Sequence, residues 1–122
     1  MTSSPSPATT PARPVRGRHG AVASPHHLAT QAGLLVLRTG GSAVDAAIAT
    51  NAALAVVAGH SCGLGGDAFW IIWDEVRGEA IALNGSGRAG SDATIERAAA
   101  TGHEAMPERG PWSITVPGAV HS

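Results

Sequence analysis

Several residue types are scarce or missing in this sequence of 122 residues, and each absence narrows the range of functions. Cys62 is the single cysteine, so neither an intramolecular disulfide nor a cysteine-rich zinc site is available. Lys and Tyr are absent, and the 8 basic residues, all Arg, stand against 9 acidic residues. The formal net charge of -1 provides no positively charged surface for nucleic acid or for an anionic membrane, so neither partner is expected.

Long hydrophobic runs are missing as well. Residues 1–18 are rich in Pro, Ser, Thr and Arg and contain no apolar stretch that burial could stabilise, which predicts a disordered tail. A secretory signal needs about 7–15 apolar residues in a row and a membrane span about 18, and neither pattern occurs. These absences favour a cytoplasmic location, with a periplasmic or secreted location as the alternative.

Residues 19–122 carry helix and strand patterns that predict one domain. The predicted elements are, in order, a strand at 21–23, a helix that Gly40-Gly41 ends, a helix over 42–58, strands at 68–73 and 79–84, a helix over 93–101 and a strand at 112–116. Ser24 is the predicted N-cap of the first helix, and Ser42 with Asp45 that of the second. The second helix is apolar on almost every side and is expected to be buried. The predicted fold class is a layered mixture of helices and strands, α/β or α+β, with an open sheet edge.

The glycine-rich loop at 63–68 fits the G-x-G-x-x-A pattern of dinucleotide-binding proteins. In those proteins the glycines follow a strand and open a helix, whose N-terminal amides bind the pyrophosphate. Here they follow a predicted helix and precede a predicted strand, so we expect a turn with positive φ angles and no cofactor. His60 and Cys62, with His26 and His27, do not match the ligand spacing of a zinc site, and no metal is predicted.

Arg88 lies in a glycine-spaced loop directly after a predicted strand. Loops held by a rigid scaffold often carry binding residues, and a guanidinium binds a carboxylate through two parallel hydrogen bonds. An arginine that is simply solvated in a surface loop is the alternative. The local sequence favours neither interpretation.

Four sequence blocks together resemble the N-terminal part of the large subunit of the γ-glutamyltranspeptidases. The blocks are Gly20–Ala29, Gly40–Ala47, His60–Phe69 and Val116–Gly118. The resemblance implies part of an N-terminal nucleophile hydrolase, a four-layered αββα sandwich made as a precursor and cleaved into two subunits. It also implies a Thr nucleophile at the start of the small subunit. The C-terminal part is therefore an expected partner, and this chain alone, with no catalytic residue, is expected to be inactive.

The resemblance also assigns Ser86 and Arg88 to the substrate pocket. Alignment through Ala82-Leu83 and Ala93-Thr94 places Ser86 where the family has the Arg that binds the α-carboxylate of the γ-glutamyl group, with Arg88 two residues later. A serine cannot replace a bidentate cation, so γ-glutamyl specificity requires Arg88 to take over this role. Three hypotheses follow: transfer or hydrolysis of γ-glutamyl groups in glutathione-type amides, action on other small amides as an amidohydrolase or acylase, and a truncated product without catalysis.

Overall fold

A computed structural model describes residues 14–102 and 105–122 as a pair of helices, a β-hairpin and a group of loops at one end of the hairpin. The elements are α1 (His27–Arg38), α2 (Ala43–Val57), β1 (Ala68–Asp74), β2 (Glu79–Gly85) and α3 (Ile95–Ala100), followed by a 3-10 turn at Pro111–Ser113. Residues 1–13 of the predicted tail lie outside the described residues, and residues 14–18 are exposed and belong to no helix or strand. Over the described ranges, no helix has the length and apolar character needed to cross a membrane.

Helix α1 begins and ends on local signals, of which one was predicted wrongly. His26 is the N-cap, because its Nδ1 accepts a hydrogen bond from the backbone N–H of Leu28 at 3.3 Å. Ser24, the predicted cap, instead donates to the His26 carbonyl at 2.9 Å. The predicted stop is confirmed: Gly40 adopts a φ of 94°, and the N–H of Gly41 turns back to the helix at 2.9 Å from the carbonyl oxygen of Val36.

Helix α2 begins with the predicted capping box. The hydroxyl of Ser42 accepts from the backbone N–H of Asp45 at 3.1 Å, and the Asp45 carboxylate accepts from the backbone N–H of Ser42 at 2.8 Å. These bonds favour the ionised carboxylate, and the backbone N–H of Ser42, with its hydroxyl, lowers the pKa of Asp45. Asp45, the charged residue in this apolar sequence, thus pairs with a backbone N–H group at the start of its own helix.

Small residues allow α1 and α2 to pack closely. Ala29 and Ala46 are almost completely buried between the helices. A Cβ atom on Gly33 would collide with the Thr50 hydroxyl and would lie 3.0 Å from the Ala46 carbonyl oxygen. Thr50 itself donates to that carbonyl at 2.7 Å, so the one buried hydroxyl in this interface is paired.

The predicted burial of α2 on all sides is wrong for the described residues. Only Ala46, Thr50 and Leu54 of this helix are buried, at a spacing of four that marks a single face. Ile48 is 51% exposed and Val56 is 82% exposed. The reason is that α1 covers one side of α2 and no described element covers the side that carries Val56.

Strands β1 and β2 form the predicted antiparallel hairpin. The register runs from Ala68 opposite Gly85 to Asp74 opposite Glu79. Asp74 begins the turn by accepting from the backbone N–H groups of Val76 and Arg77 at 2.9 and 3.1 Å, and Gly78 completes it with a φ of 68°. β-forming residues in β1 and the turn between the strands therefore explain the hairpin.

Both faces of β1 are apolar, although only one is partly covered. Trp70 and Ile72 are half-buried and point towards α2. Phe69, Ile71 and Trp73, here called the outer face, are 70%, 87% and 62% exposed. Large apolar side chains on both faces are typical of a strand inside a layered sheet rather than of a solvent-facing hairpin.

Two predicted strands are wrong and one predicted helix is shorter than expected. Residues 21–23 form no strand in the described chain, and Pro111 starts a 3-10 turn at the beginning of the predicted strand at 112–116. Val116 makes one backbone hydrogen bond, to the carbonyl of Arg88, which does not amount to a ladder. Helix α3 starts at Ile95 because Thr94 caps it, its hydroxyl accepting from Arg97 N–H at 3.2 Å.

Candidate substrate-binding cleft

A polar cleft of about 810 Å³ lies at the end of the hairpin where β2 finishes. It brings the two predicted pocket residues, Ser86 and Arg88, together with His121. The full lining is Asn84, Gly85, Ser86, Gly87, Arg88, Ala89, Val116, Pro117, Gly118, His121 and Ser122. The cleft is therefore built from two segments, the loop after β2 and the segment that begins at Val116.

Backbone hydrogen bonds join these two segments to the glycine-rich loop before β1. The N–H of Val116 donates to the carbonyl of Arg88 at 2.8 Å. The N–H groups of Gly118 and Ala119 both donate to the carbonyl of Gly66, at 3.1 and 2.9 Å. Backbone hydrogen bonds therefore hold the segments around the cleft together. These bonds do not depend on the identity of most side chains.

Glycines make this close approach of main chain possible. A Cβ on Gly87 would collide with the carbonyl oxygen of Val116, and a Cβ on Gly118 would collide with the carbonyl oxygen of Gly85. A Cβ on Gly85 would meet both the Ala68 carbonyl and the side chain of Ser122. These three positions require glycine because of space, since none of them has a positive φ.

Asp67 is a residue of this region whose role the sequence does not predict. Its Oδ1 accepts from the backbone N–H of Gly87 at 3.1 Å and from the hydroxyl of Thr115 at 3.2 Å. The only signal in the sequence is a carboxylate at the end of a glycine-rich loop, which does not reveal partners so distant along the chain. Asp67 thus links the loop before β1 to both walls of the cleft.

The side chain of Arg88 is exposed and lines the cleft. In the part of the chain that the structure describes, it makes no ion pair and no side-chain hydrogen bond. The two ion pairs found there join Arg77 to Asp74 at 3.6 Å and Arg97 to Asp92 at 2.7 Å. Because a guanidinium stays protonated at all ordinary pH values, Arg88 gives the cleft a fixed positive charge that is available to an anionic ligand.

Ser86 lies on the same wall as Arg88. Its backbone N–H donates to Asn84 Oδ1 at 3.0 Å, which forms the turn that leads the chain out of β2. The residue is exposed and its hydroxyl makes no hydrogen bond to the described residues. The hydroxyl and the guanidinium of Arg88 are therefore both free to contact a bound molecule.

The glycine-rich loop itself differs from its prediction in one respect. It follows α2 and precedes β1, the order that argued against dinucleotide binding. The expected positive φ angles are wrong, because the described glycines with positive φ are at positions 20, 40, 78, 102 and 110. The carbonyl of Gly66 accepts the two backbone hydrogen bonds from Gly118 and Ala119, and the backbone of the loop does not pass through the left-handed region.

The other candidate metal-ligating side chains do not form a metal site among the described residues. Within residues 14–102 and 105–122, no three His, Cys, Asp or Glu side chains lie close enough to hold a metal ion. Cys62 packs against the small core of Ala29, Leu54 and Ala58. The rings of His26 and His27 stack at a centroid separation of 4.7 Å, and His26 Nδ1 is occupied as a helix cap.

A second cavity, of about 400 Å³, lies between α2 and the inner face of the hairpin. Its lining is apolar apart from Asn51 and Ser122, and includes Ile48, Trp70 and Leu83. The indole N–H of Trp70 donates to the Ser122 hydroxyl at 3.1 Å, at the boundary between this cavity and the cleft. None of the described residues that line this cavity is charged, so we interpret it as a gap between α2 and the hairpin. The cleft, in contrast, carries groups able to bind a polar substrate.

Comparison with known proteins confirms the family that the sequence blocks indicate. The family model of gamma-glutamyltranspeptidase matches residues 29–122. The chain is 50% identical over 103 residues to the oxamate amidohydrolase proenzyme of Klebsiella pneumoniae, a match that covers 84% of this chain and 19% of that protein. It is 49% identical over 109 residues to the glutathione hydrolase-like YwrD proenzyme of Bacillus subtilis, covering 88% of this chain and 20% of that protein.

A solved structure matches the fold. The Helicobacter pylori gamma-glutamyltranspeptidase superposes with a TM-score of 0.79 at 35% identity, covering 88% of this chain and 32% of that one. The chain spans about a fifth of the length of the two curated relatives, since it covers 19% and 20% of them.

Proposed function

Because the chain belongs to the γ-glutamyltranspeptidase family, we propose that it forms the N-terminal part of the large subunit of an enzyme that hydrolyses or transfers small amides carrying a carboxylate. The observation that carries this proposal is the guanidinium of Arg88, which lines a polar cleft and pairs with none of the described carboxylates. The two curated relatives support it, because one is named for oxamate and the other for glutathione hydrolysis, and both compounds are amides with a carboxylate.

The described residues would supply substrate binding rather than bond cleavage. Arg88 would bind the carboxylate of the substrate through two parallel hydrogen bonds, and the hydroxyl of Ser86 would add a further donor to the same group or to the amide carbonyl. The nucleophile would come from the small subunit of the processed precursor, where the free amine of an N-terminal Thr acts as base for its own hydroxyl. In this division of roles the cleft fixes one end of the substrate while the other subunit attacks its amide.

Substrate choice between the two amide classes would depend on how far the carboxylate lies from the scissile bond. In oxamate the carboxylate is bonded directly to the amide carbonyl, whereas in a γ-glutamyl compound several carbon atoms separate the two groups. By the family resemblance, Ser86 would occupy the position of the family's arginine, with Arg88 two residues beyond it. A displaced cation favours a substrate of different length from the γ-glutamyl group, so we place the amidohydrolase reaction first and γ-glutamyl hydrolysis or transfer second.

The fold of the complete protein would be the αββα sandwich of N-terminal nucleophile hydrolases. The outer face of β1 supports this, because Phe69, Ile71 and Trp73 are exposed and contiguous, as expected for a sheet that packs on a second sheet. The exposed Val56 on α2 points to further covering on the helical side. The remainder of the precursor is the proposed source of both layers.

Steady-state kinetics of the full-length protein that contains these residues test the proposal. Arg88→Ala is expected to raise KM for oxamate, and for γ-glutamyl-p-nitroanilide if it is turned over, by about 10- to 100-fold, the range of one charged hydrogen-bonded contact. Arg97→Ala is the matched control, because Arg97 is also exposed but is paired with Asp92 outside the cleft. An unchanged KM in Arg88→Ala would remove the carboxylate-binding role.

The 122-residue chain by itself provides a second test. Purified alone, it is expected to release no p-nitroaniline from γ-glutamyl-p-nitroanilide and no ammonia from oxamate, because the nucleophile belongs to the other subunit. Release of either product above the rate of a blank would contradict the division of roles between the subunits.

A further inference from the structure

Asp67 stands outside the cleft lining but holds the loop that carries Arg88. One oxygen of its carboxylate, Oδ1, accepts the backbone N–H of Gly87 at 3.1 Å and the hydroxyl of Thr115 at 3.2 Å. Gly87 immediately precedes Arg88 in the loop after β2, and Thr115 immediately precedes Val116 on the opposite wall. A single side chain therefore ties both walls of the cleft to the start of β1.

The loop needs such an anchor because of its composition. Glycines at positions 85, 87 and 90 surround Arg88, and glycine leaves the backbone with more conformations than any other residue. Two contacts restrict it: the N–H of Gly87 is bound by Asp67, and the carbonyl of Arg88 is bound by Val116 N–H at 2.8 Å. The backbone is held on both sides of the Arg88 Cα atom, so the direction in which its side chain leaves the loop is fixed.

The position of Asp67 also leaves the charge of Arg88 available. A carboxylate within salt-bridge distance of the guanidinium would neutralise it and compete with the carboxylate of a substrate. Asp67 instead uses Oδ1 for a main-chain N–H and a hydroxyl, and it makes no ion pair with Arg88. A carboxylate makes stronger hydrogen bonds than a neutral acceptor, and this one does not occupy the guanidinium of Arg88 with an ion pair.

We propose that Asp67 is a positioning residue for substrate binding, which acts by holding the Gly87–Arg88 backbone so that the guanidinium meets the substrate carboxylate. This role rests on the proposed function of Arg88. Loss of the anchor would weaken binding of the carboxylate and leave the chemical step at the other subunit unchanged. The expected kinetic signature is therefore a raised KM with kcat nearly preserved.

A double-mutant cycle in the full-length protein tests the proposal, with oxamate and γ-glutamyl-p-nitroanilide as substrates. Asp67→Ala is expected to raise KM about tenfold, and the double variant Asp67→Ala/Arg88→Ala is expected to be no worse than Arg88→Ala alone. Asp67→Asn retains an oxygen at the Oδ1 position and is expected to recover most of the wild-type KM. Additive effects of Asp67→Ala and Arg88→Ala, or an Asn variant as impaired as the Ala variant, would overturn the proposal.

Hydrogen exchange separates a failure of this proposal from a failure of the proposed function. The Gly87 amide is expected to exchange faster in Asp67→Ala than in the wild type, whatever the substrate, while amides in α1 keep their rates and show that the fold is intact. If Arg88→Ala leaves KM unchanged, the carboxylate-binding function is lost, whether or not the Gly87 amide responds. If Arg88→Ala raises KM but Asp67→Ala changes neither KM nor the exchange of the Gly87 amide, only the positioning role is lost.

Discussion

The backbone N–H of Val116 donates to the carbonyl oxygen of Arg88 at 2.8 Å, so a bond between two distant segments holds the residue that carries the cleft's positive charge. This bond exists because the chains approach closely at Gly87 and Gly118, where any side chain would collide with main chain. The geometry of the cleft therefore depends on residues that have no functional group of their own.

Gly118→Ala is predicted to damage the cleft. The new Cβ would collide with the carbonyl of Gly85 and would lie 2.9 Å from the backbone nitrogen of Gly87, and neither backbone atom can move freely. Overpacking of this kind costs about 1–3 kcal/mol of unfolding free energy, and the displaced loop is expected to raise KM for the carboxylate substrate. Gly90→Ala is the control, because nothing lies within 4 Å of a Cβ at Gly90.

Chemical denaturation and steady-state kinetics of the two variants check this prediction. The informative result is the difference between them, since both remove a glycine from the same region and both restrict the unfolded chain in the same way. Equal stability and equal KM in the two variants would show that close contact at Gly118 is not needed.

The stability of the folded chain is predicted to decrease at acid pH, where the carboxylate of Asp45 loses its charge. The Ser42 backbone N–H, with its hydroxyl, lowers the pKa of this carboxyl in the folded chain. Its contribution to stability is therefore fully present above the unfolded pKa and is lost as the pH falls through the folded pKa. Wild type is expected to unfold at a higher temperature than Asp45→Asn near neutral pH, and the two are expected to converge at the acid end.

Thermal unfolding from about pH 7 to about pH 2 measures this convergence. Glu79→Gln is a suitable control, because the Glu79 side chain makes no hydrogen bond or ion pair within the described ranges. A difference between wild type and Asp45→Asn that stays constant over the whole pH range would mean that the ionised capping box does not stabilise α2.

The outer face of β1 is predicted to be covered in the complete protein. In a Cys62→Ala background, Ile71→Cys places a thiol on a residue that is 87% exposed in this chain, and Val76→Cys places one in the hairpin turn on a residue that is 96% exposed. Both thiols are expected to react quickly with a maleimide in the 122-residue chain. In the full-length protein only the thiol at position 76 is expected to keep that rate.

Peptide mass spectrometry after timed labelling follows each site separately. Slower labelling at position 71 alone would agree with a second sheet on the outer face. Equal labelling rates at both positions in the full-length protein would contradict the layered arrangement.

The sequence predicts those parts of the structure that depend on near neighbours. The capping box of Ser42 and Asp45 spans a single helical turn, and the hairpin follows from β-forming residues on either side of a turn with Gly78. Ser86 and Arg88 were placed in one pocket through the family resemblance, and the structure brings both to one cleft. Whether they bind substrate stays a prediction.

The parts that the sequence does not predict depend on distant contacts. Asp67 accepts hydrogen bonds from Gly87 and Thr115, and no local sequence pattern predicts partners so distant along the chain. Val116 lies in a run of β-forming residues, yet a strand needs a ladder of backbone hydrogen bonds to a neighbouring segment. Among the described residues, the backbone N–H of Val116 makes one such bond, to the carbonyl of Arg88. The exposure of Val56 on α2 likewise reflects which elements lie beside the helix and not the residues of the helix itself.

The two apolar faces of β1 affect how the chain folds while the ribosome is still making it. A hairpin closes within microseconds, whereas a ribosome adds about 5–20 residues per second, so β1 and β2 would pair long before later segments emerge. Until then the outer face, with Phe69, Ile71 and Trp73, would be open to other nascent chains at the stage when aggregation competes with folding. The exposed apolar face of β1 is therefore a predicted site for a chaperone to bind the nascent chain.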